Sequence, residues 1–271
     1  MSNPIGWCTE TWNPIVGCSP VSAGCDHCYA ERMASRFSAY GEPFQDLISG
    51  TYSKHRWSGM TQFKPERLEQ PFHWRKPRRV FVCSMGDLFH DSVTNDQIAA
   101  IFGVIAACQQ HTFMLLTKRP ERAMKWFTWL ENMSHSPYDH EYETYLEIGA
   151  IFRKPLPNLW IGVSVEDQET ADDRIPLLFK IPAAKRFVSY EPALSGVNFD
   201  KPRFSEGWWL NDISLIISGA ETGPHKRPMD LEWARDVRAL CKDMGVPFWF
   251  KKDSDGNETL DGVTHHPEFW R

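Results

Sequence analysis

Three cysteines near the amino end constrain this chain more than any other feature of its sequence. They are Cys18, Cys25 and Cys28, with six residues between the first two and two between the last two. They stand in a stretch broken by prolines and glycines, residues 11–30, which predicts a loop. The two thiolates of a Cys-x2-Cys pair can bind one metal centre, and a third thiolate from a flexible loop can bind the same centre. Three thiolate ligands select zinc, copper or an iron–sulfur cluster. The loop is therefore predicted to be a metal centre.

The remaining cysteines favour metal binding over a disulfide framework. Seven cysteines is an odd count, and four of them lie within the first 28 residues. The chain has no run of 18 apolar residues and no signal-peptide pattern, so we expect a cytoplasmic protein with no membrane association. Thiols stay reduced in that compartment. Cys83, Cys108 and Cys241 lie in apolar segments and are predicted to be small buried hydrophobes.

Apolar strands alternate with amphipathic helices after the loop, which predicts a parallel sheet covered by helices. No dinucleotide fingerprint or phosphate-loop pattern occurs. The sequence therefore predicts one α/β domain spanning residues 1–271, a partial (β/α) barrel with six to seven parallel strands. The predicted strands are 5–13, 79–84, 112–117, 158–165, 185–190, 213–218 and 247–251, and the predicted helices are 29–40, 95–108, 120–133, 167–178 and 231–244.

Residues 41–78 interrupt this pattern with an irregular segment rich in basic and aromatic side chains, part of it predicted to be helical near residues 64–70. From His55 to Arg79 cations and rings interleave, which is typical of surfaces that bind single-stranded nucleic acid. The alternative is a positively charged cover over one end of the barrel. A formal charge of −5 excludes a protein that coats nucleic acid through bulk charge alone. Nucleic acid is thus a candidate partner, and no pattern predicts the oligomeric state.

Polar side chains follow six of the predicted strands. In a parallel α/β barrel the carboxyl ends of the strands form the active site, so we predict a shared cleft there; the alternative is scattered surface charge. A lysine–arginine pair before Pro120 is interpreted as an anion-binding site. The residues that follow the six strands are Asp87 and His90, Lys118 and Arg119, Glu166, Glu191, Glu221 and His225, and Lys251 and Lys252.

Short motifs are spread over nearly the whole chain. They are Thr11-Trp12-Asn13-Pro14, Gly17-Cys18, Gly24-Cys25-x2-Cys28-Tyr29-Ala30, Ser84-Met85-Gly86-Asp87-Leu88-Phe89-His90, Leu116-Thr117-Lys118-Arg119-Pro120, Gly162-Val163-Ser164-Val165-Glu166, Tyr190-Glu191-Pro192 and Ser218-Gly219-Ala220-Glu221. Together they resemble a phage-associated three-cysteine family of unknown function. That family in turn is similar to radical S-adenosylmethionine enzymes, whose fold is a partial barrel. A phage-encoded member would work in the host cytoplasm.

The resemblance implies a 4Fe–4S cluster on Cys18, Cys25 and Cys28. Three thiolates leave one of the four irons open, and radical enzymes bind S-adenosylmethionine there. No catalytic residue is assigned by the resemblance. The implied cofactor-binding residues are Ser84, Met85, Gly86 and Asp87 beside the cluster, Lys118 and Arg119 for a carboxylate or a substrate phosphate, and Ser164, Glu166, Glu191 and Glu221.

Spacing alone leaves zinc open as an alternative to the cluster. Cys8 or His27 can supply a fourth ligand for a tetrahedral zinc site. His27 lies between Cys25 and Cys28, so its ring is expected to point away from their shared centre. The family resemblance favours the iron–sulfur cluster.

Two other functions compete with a radical enzyme. One is a non-catalytic iron–sulfur protein that binds nucleic acid or a partner protein, favoured because residues 84–87 lack the Gly-Gly-Glu form usual in the radical superfamily. The ring of Lys118, Glu166, Glu191 and Glu221 favours an enzyme instead. The third is a hydrolase whose divalent metal is held by carboxylates and imidazoles at the strand ends. Its candidate ligands are Asp87, His90, Glu166, Glu191, Glu221 and His225.

Overall fold

A seven-stranded parallel sheet forms the centre of the fold, in a computed structural model that describes residues 5–51, 54–133, 154–203 and 207–267. The sheet pairs β1 and β6 to β11 in chain order, and every neighbouring pair is parallel. Among the described strands β1 pairs only with β6 and β11 only with β10, so the barrel is partial. The strands are β1 (Glu10–Trp12), β2 (Ile15–Val16), β3 (Ile48–Thr51), β4 (Lys54–Trp57), β5 (Gln62–Phe63), β6 (Arg79–Val82), β7 (Thr112–Thr117), β8 (Leu159–Val165), β9 (Lys185–Tyr190), β10 (Leu215–Ser218) and β11 (Phe248–Phe250).

Helices cover the outer face of this sheet. Side-chain caps fix where two of them begin: the Thr94 hydroxyl accepts from Gln97 N at 3.3 Å, and the Asp167 carboxylate accepts from Thr170 N at 2.9 Å. The predicted partial (β/α) barrel is confirmed. The helices in the described part of the chain are α1 (Tyr29–Ala34), α2 (Asn95–Ala107), α3 (Pro120–Met133), α4 (Gln168–Lys180) and α5 (Leu231–Asp243).

The predicted helix at 29–40 is shorter in the structure. It ends at Ala34 and continues as a 3₁₀ turn, Ser35–Phe37. The hydroxyls of Ser35 and Ser38 donate to the carbonyls three residues earlier, at 2.9 and 3.1 Å. Such bonds compete with the regular helical ladder and tighten the chain.

The two faces of each strand bury different sets of side chains. Inward-facing rings such as Phe81, Phe187 and Trp249 form a core inside the barrel with Trp7, while outward-facing side chains pack under the helices. Because side chains alternate along a strand, the inward set continues past the strand ends. There it becomes polar and forms the mouth of the barrel. The residues that continue the inward set are Lys118, Glu166, Glu191, Glu221 and Lys251.

Two antiparallel ribbons occupy the segment between β1 and β6. β2 pairs with β5 and β3 pairs with β4, although the sequence indicated only irregular structure there. Near residues 64–70 the expected helical part is a short 3₁₀ turn, Pro65–Arg67, and a second turn, Gln70–His73, follows it. Each turn has a proline in its first positions, where the missing N–H costs nothing.

Among the described residues, no helix is both long enough and apolar enough to span a bilayer.

Candidate functional site

The cysteine loop, residues 17–28, runs across the mouth of the barrel between β2 and α1. Cys25 closes a 3₁₀ turn, Ala23–Cys25, and Cys28 stands directly before α1. Cys28 N donates to Cys25 O at 3.3 Å, so one turn of backbone carries both thiols. All three cysteines of the loop are partly exposed.

The segment after β6 lies alongside the start of the cysteine loop. Gly17 and Gly86 form a parallel bridge, and Gly17 N donates to Met85 O at 3.0 Å. A Cβ on Gly86 would stand 2.8 Å from Gly17 O, so this approach requires glycine. Asn13 Oδ1 accepts from Ser84 Oγ at 3.1 Å and from Met85 N at 2.9 Å. The structure thus places Ser84, Met85 and Gly86 beside the cysteines.

Ser19 ties the loop to the ends of β6 and β7. Arg119 Nη2 donates to Ser19 Oγ at 2.7 Å and to Ser19 O at 3.1 Å. His90 Nε2 lies 2.9 Å from the same hydroxyl. Arg119 also pairs with Asp91 at 3.0 Å, which holds its guanidinium in place. The chain next to Cys18 is therefore fixed by side chains from two strand ends.

The side chain of Glu166 contacts the middle of the cysteine loop. Its side chain is fully buried and accepts from Ser22 Oγ at 3.0 Å. A Cβ on Gly24 would come within 2.4 Å of Glu166 Oε1, so the loop backbone rests directly on this carboxylate. Two cations neutralise it: Lys118, in direct contact, and Arg174, at 3.1 Å.

Arg227 holds the far side of the loop. Its Nη2 donates to Ala23 O at 2.8 Å, and its Nη1 lies 3.4 Å from Asp26 Oδ2. Glu221 fixes Arg227 by accepting from its backbone N at 2.8 Å and its Nε at 3.1 Å. Glu221 therefore acts on the loop through a second residue.

The Glu221–Arg227 contact is expected to make stability depend on pH. Burial raises the pKa of Glu221, but hydrogen bonds from Arg227 outweigh it and leave the pKa below its ordinary value of 4.5. A lowered folded pKa gives stability that is complete above the unfolded pKa and is lost as pH falls through the folded one. In urea unfolding, the free energy of unfolding should differ most between the unaltered protein and Glu221→Gln above pH 4.5. A difference in free energy that stays constant at lower pH would contradict this.

The remaining predicted site residues each have partners of their own. Asp87 is buried and accepts from Thr117 Oγ1 at 2.8 Å, Lys118 N at 3.0 Å and Phe89 N at 3.0 Å, so it braces the turn after β7. Glu191 contacts Lys251 across the mouth. Ser164 is buried, and its carbonyl accepts from Arg174 at 2.8 Å.

The three thiols of the cysteine loop lie close enough to influence one another's pKa. Burial, reinforced by Asp87 and opposed by Arg119, raises the pKa of the Cys18 thiol to about 12, and Cys28 and Cys25 raise it as well. Burial likewise raises the pKa of Cys28. Metal binding replaces the thiol protons and depends on cations that balance the resulting negative charge.

Cys8 and His27 do not complete a shell with the trio. Cys8 is 2 % exposed and belongs to the core inside the barrel, whereas Cys18 and Cys28 pack against a separate cluster around Leu47 and Trp57. His27 turns toward His225, with ring centroids 6.4 Å apart. Within the described ranges, no three cysteine, histidine, aspartate or glutamate side chains converge on a single metal-ion position.

In the aromatic and basic segment, residues 41–78, some rings are packed in the core and some cations are paired. Trp57 is buried, and Trp74 packs against the main core. Arg67 donates to Asn13 O at 2.9 Å, and Arg78 pairs with Glu10 at 2.9 Å. These four side chains therefore stabilise the fold. Other rings and cations of the same segment are exposed, namely Arg56, Phe72, His73, Arg75 and Lys76.

Several residues that build the site were not predicted. Arg174 had a signal, since it interrupts an apolar stripe formed by Ala171, Ile175 and Leu178, and a cation at such a position needs a buried partner. Arg227 and Ser22 lie in irregular loops, where no periodic pattern marks them. The scattered cysteines Cys83, Cys108 and Cys241 are buried as predicted.

The fold and the site together define a partial (β/α)-barrel protein with a three-cysteine loop fixed over the end where such barrels bind ligands. Residues 2–264 match the family described as a protein of unknown function, DUF5131, and the chain belongs to that family. No curated protein matches the chain significantly, and neither does any solved structure. Membership of an uncharacterised family is thus confirmed, while the radical-enzyme likeness stays a prediction.

Proposed function

We propose that this protein binds a 4Fe–4S cluster through Cys18, Cys25 and Cys28 and works as a radical S-adenosylmethionine-like protein. The observation that carries the proposal is the course of the cysteine loop. The loop crosses the mouth of a parallel partial barrel and is held by side chains that follow β6, β7, β8 and β10. That end of such a barrel is where ligands meet the catalytic groups.

The set of donor atoms fits an iron–sulfur cube. Thiolates are the usual ligands of such clusters, and each of three irons takes one of them. The thiols of Cys25 and Cys28 both act on Cys18, so the three lie in one neighbourhood, as the ligands of one cluster must. Arg119 and Lys118 supply positive charge beside the thiols, which balances the negative cluster.

S-adenosylmethionine is the proposed second cofactor, and a reduced cluster would supply the one electron needed to cleave it into methionine and a 5′-deoxyadenosyl radical. Residues 84–86 lie next to the loop, and their backbone is fixed there by bonds to Asn13 and Gly17. Glu191 and Lys251 contact each other inside the mouth and can orient a polar ligand. A phage-encoded protein of this kind would act in the host cytoplasm, with nucleic acid as a candidate substrate.

A spectroscopic titration tests this function. The full chain is purified without oxygen, reduced, and mixed with S-adenosylmethionine, with adenosine as the control because it lacks the amino and carboxylate groups that bind the open iron. We expect the electron paramagnetic resonance signal of the cluster to shift with S-adenosylmethionine only. An unchanged signal from a protein that holds its cluster would contradict a radical enzyme.

One observation favours the second candidate, a non-catalytic iron–sulfur protein. The charges in the mouth already pair with each other: Lys118 with Glu166, Lys251 with Glu191, and Arg227 with Glu221. Such pairs stabilise a rigid platform without any substrate. The same titration separates the two functions, since a purely structural cluster would not respond to S-adenosylmethionine.

A further inference from the structure

A pocket of about 430 Å³ opens beside the cysteine loop. Four segments line it: residues 26–28 of the loop, 31–32 of α1, 55–56 of β4 and 222–225 after β10. Cys28 is among the lining residues, so a molecule in this pocket would lie next to the proposed cluster. Volumes of this size hold a small organic ligand.

The lining holds two arginines, Arg32 and Arg56, and two acids, Asp26 and Glu31, and both acids are already engaged. Glu31 is buried and accepts from Trp57 N at 2.8 Å and from Arg56 at 3.2 Å. Asp26 lies 3.4 Å from Arg227. Neither acid of the lining pairs with Arg32 among the described residues, because Glu31 pairs with Arg56 and Asp26 with Arg227.

Arg32 has no carboxylate partner among the described residues. Its Nη1 donates to Thr222 O at 3.4 Å. Gly223 makes room for it, because a Cβ at that position would stand 1.6 Å from Arg32 Nη1. A guanidinium carries five N–H donors, so most of them remain for a ligand.

Imidazoles approach the same space from two other segments. His27 comes from the cysteine loop and His225 from the chain after β10, with ring centroids 6.4 Å apart. Arg32 comes from α1, so donors reach the pocket from three segments. A tetrahedral anion accepts hydrogen bonds from several directions at once, and arginine binds such anions through its planar fork.

We infer that this pocket binds phosphate, with Arg32, His27 and His225 as its donors. The inference rests on the proposed function and deepens it by naming a ligand class for the same site. The phosphate belongs either to a nucleotide unit or to a small inorganic anion, and the chemistry of recognition is the same for both. The volume exceeds that of a phosphate alone and leaves space for an attached group.

Calorimetric titration of the full chain tests the inference with inorganic phosphate, a nucleoside monophosphate, a short single-stranded oligonucleotide and acetate. We expect Arg32→Gln to weaken phosphate binding roughly tenfold, because it removes a charge-assisted hydrogen bond. The matched control is Arg36→Gln, an exposed arginine one turn further along that does not line the pocket, and it should bind as the unaltered protein does. His225→Gln provides a second variant, expected to weaken binding severalfold, in case Arg32→Gln fails to fold.

The outcomes separate this inference from the proposed function when iron is measured in the same samples. Tighter binding of the nucleotide or oligonucleotide than of phosphate assigns the phosphate to a nucleotide unit, and equal binding assigns it to a small anion. A protein that holds iron but binds none of the phosphates, or binds acetate equally well, would overturn the pocket inference alone. Phosphate binding that depends on Arg32 in a protein unable to hold iron would overturn the cluster alone.

Discussion

Cys18→Ala is expected to yield a colourless protein with less than about a tenth of the iron of the unaltered chain, because a 4Fe–4S cube held by two thiolates is labile. Cys18 stands alone at the start of the loop, while Cys25 and Cys28 share one turn. The remaining pair cannot supply the third corner. Iron and sulfide analysis together with the absorption spectrum, on protein purified without oxygen, provides the measurement.

Two cysteine variants serve as controls for this experiment. Cys8→Ala removes the thiol that a zinc site would need, and Cys241→Ala removes a thiol buried in α5. Both variants should keep their iron and colour, since neither residue belongs to the cysteine loop. A brown, iron-loaded Cys18→Ala protein, or loss of metal in Cys8→Ala, would contradict the assignment.

Glu166→Ala is expected to lower the free energy of unfolding by about 3–5 kcal/mol. The substitution leaves Arg174 and Lys118 without their shared carboxylate, and the side chain of Arg174 is only 8 % exposed. Burial lowers the pKa of both cations even in the intact protein, so leaving them without a carboxylate partner is costly. The loss should appear as a lower urea midpoint at neutral pH.

The matched control for Glu166→Ala is Glu121→Ala on the outer face of α3. Glu121 pairs with Lys125 one helical turn away at 2.8 Å, and both side chains are more than 60 % exposed. Solvated pairs of this kind contribute little, so we expect a change below about 0.5 kcal/mol. Equal losses in the two variants would show that the buried carboxylate does not support the mouth. Glu166→Ala should also hold its cluster less firmly, because Ser22 and Gly24 rest on this side chain.

The sequence predicted the barrel well because its strands are short, apolar and bounded by turns. β7 and β9 have the predicted limits, and the other strands of the sheet lie within their predicted ranges. The ribbons of β2 to β5 were missed because strands of two to four residues leave too little alternation to detect. The predicted α1 was too long because no glycine or proline marks its end. Serine hydroxyls instead bond to the backbone there, and the chain continues as a 3₁₀ helix.

The candidate site was predicted in part, for a physical reason. Residues at the ends of parallel strands meet at one edge of the sheet, so Glu166, Glu191 and Glu221 could be assigned to the mouth from the sequence alone. Lys118 and Lys251 were predicted at the same edge, but Arg227 could not be assigned because it comes from an irregular loop. Arg32 was read as part of a helix, and only the structure brings it against residues 222–223.

Metal and sulfide analysis of the full chain, purified without oxygen, tests the central claim most directly. A cluster held by the cysteine loop predicts about four irons and about four sulfides per chain, with little zinc. About one zinc per chain without sulfide would contradict it, because that stoichiometry belongs to a closed single-ion site.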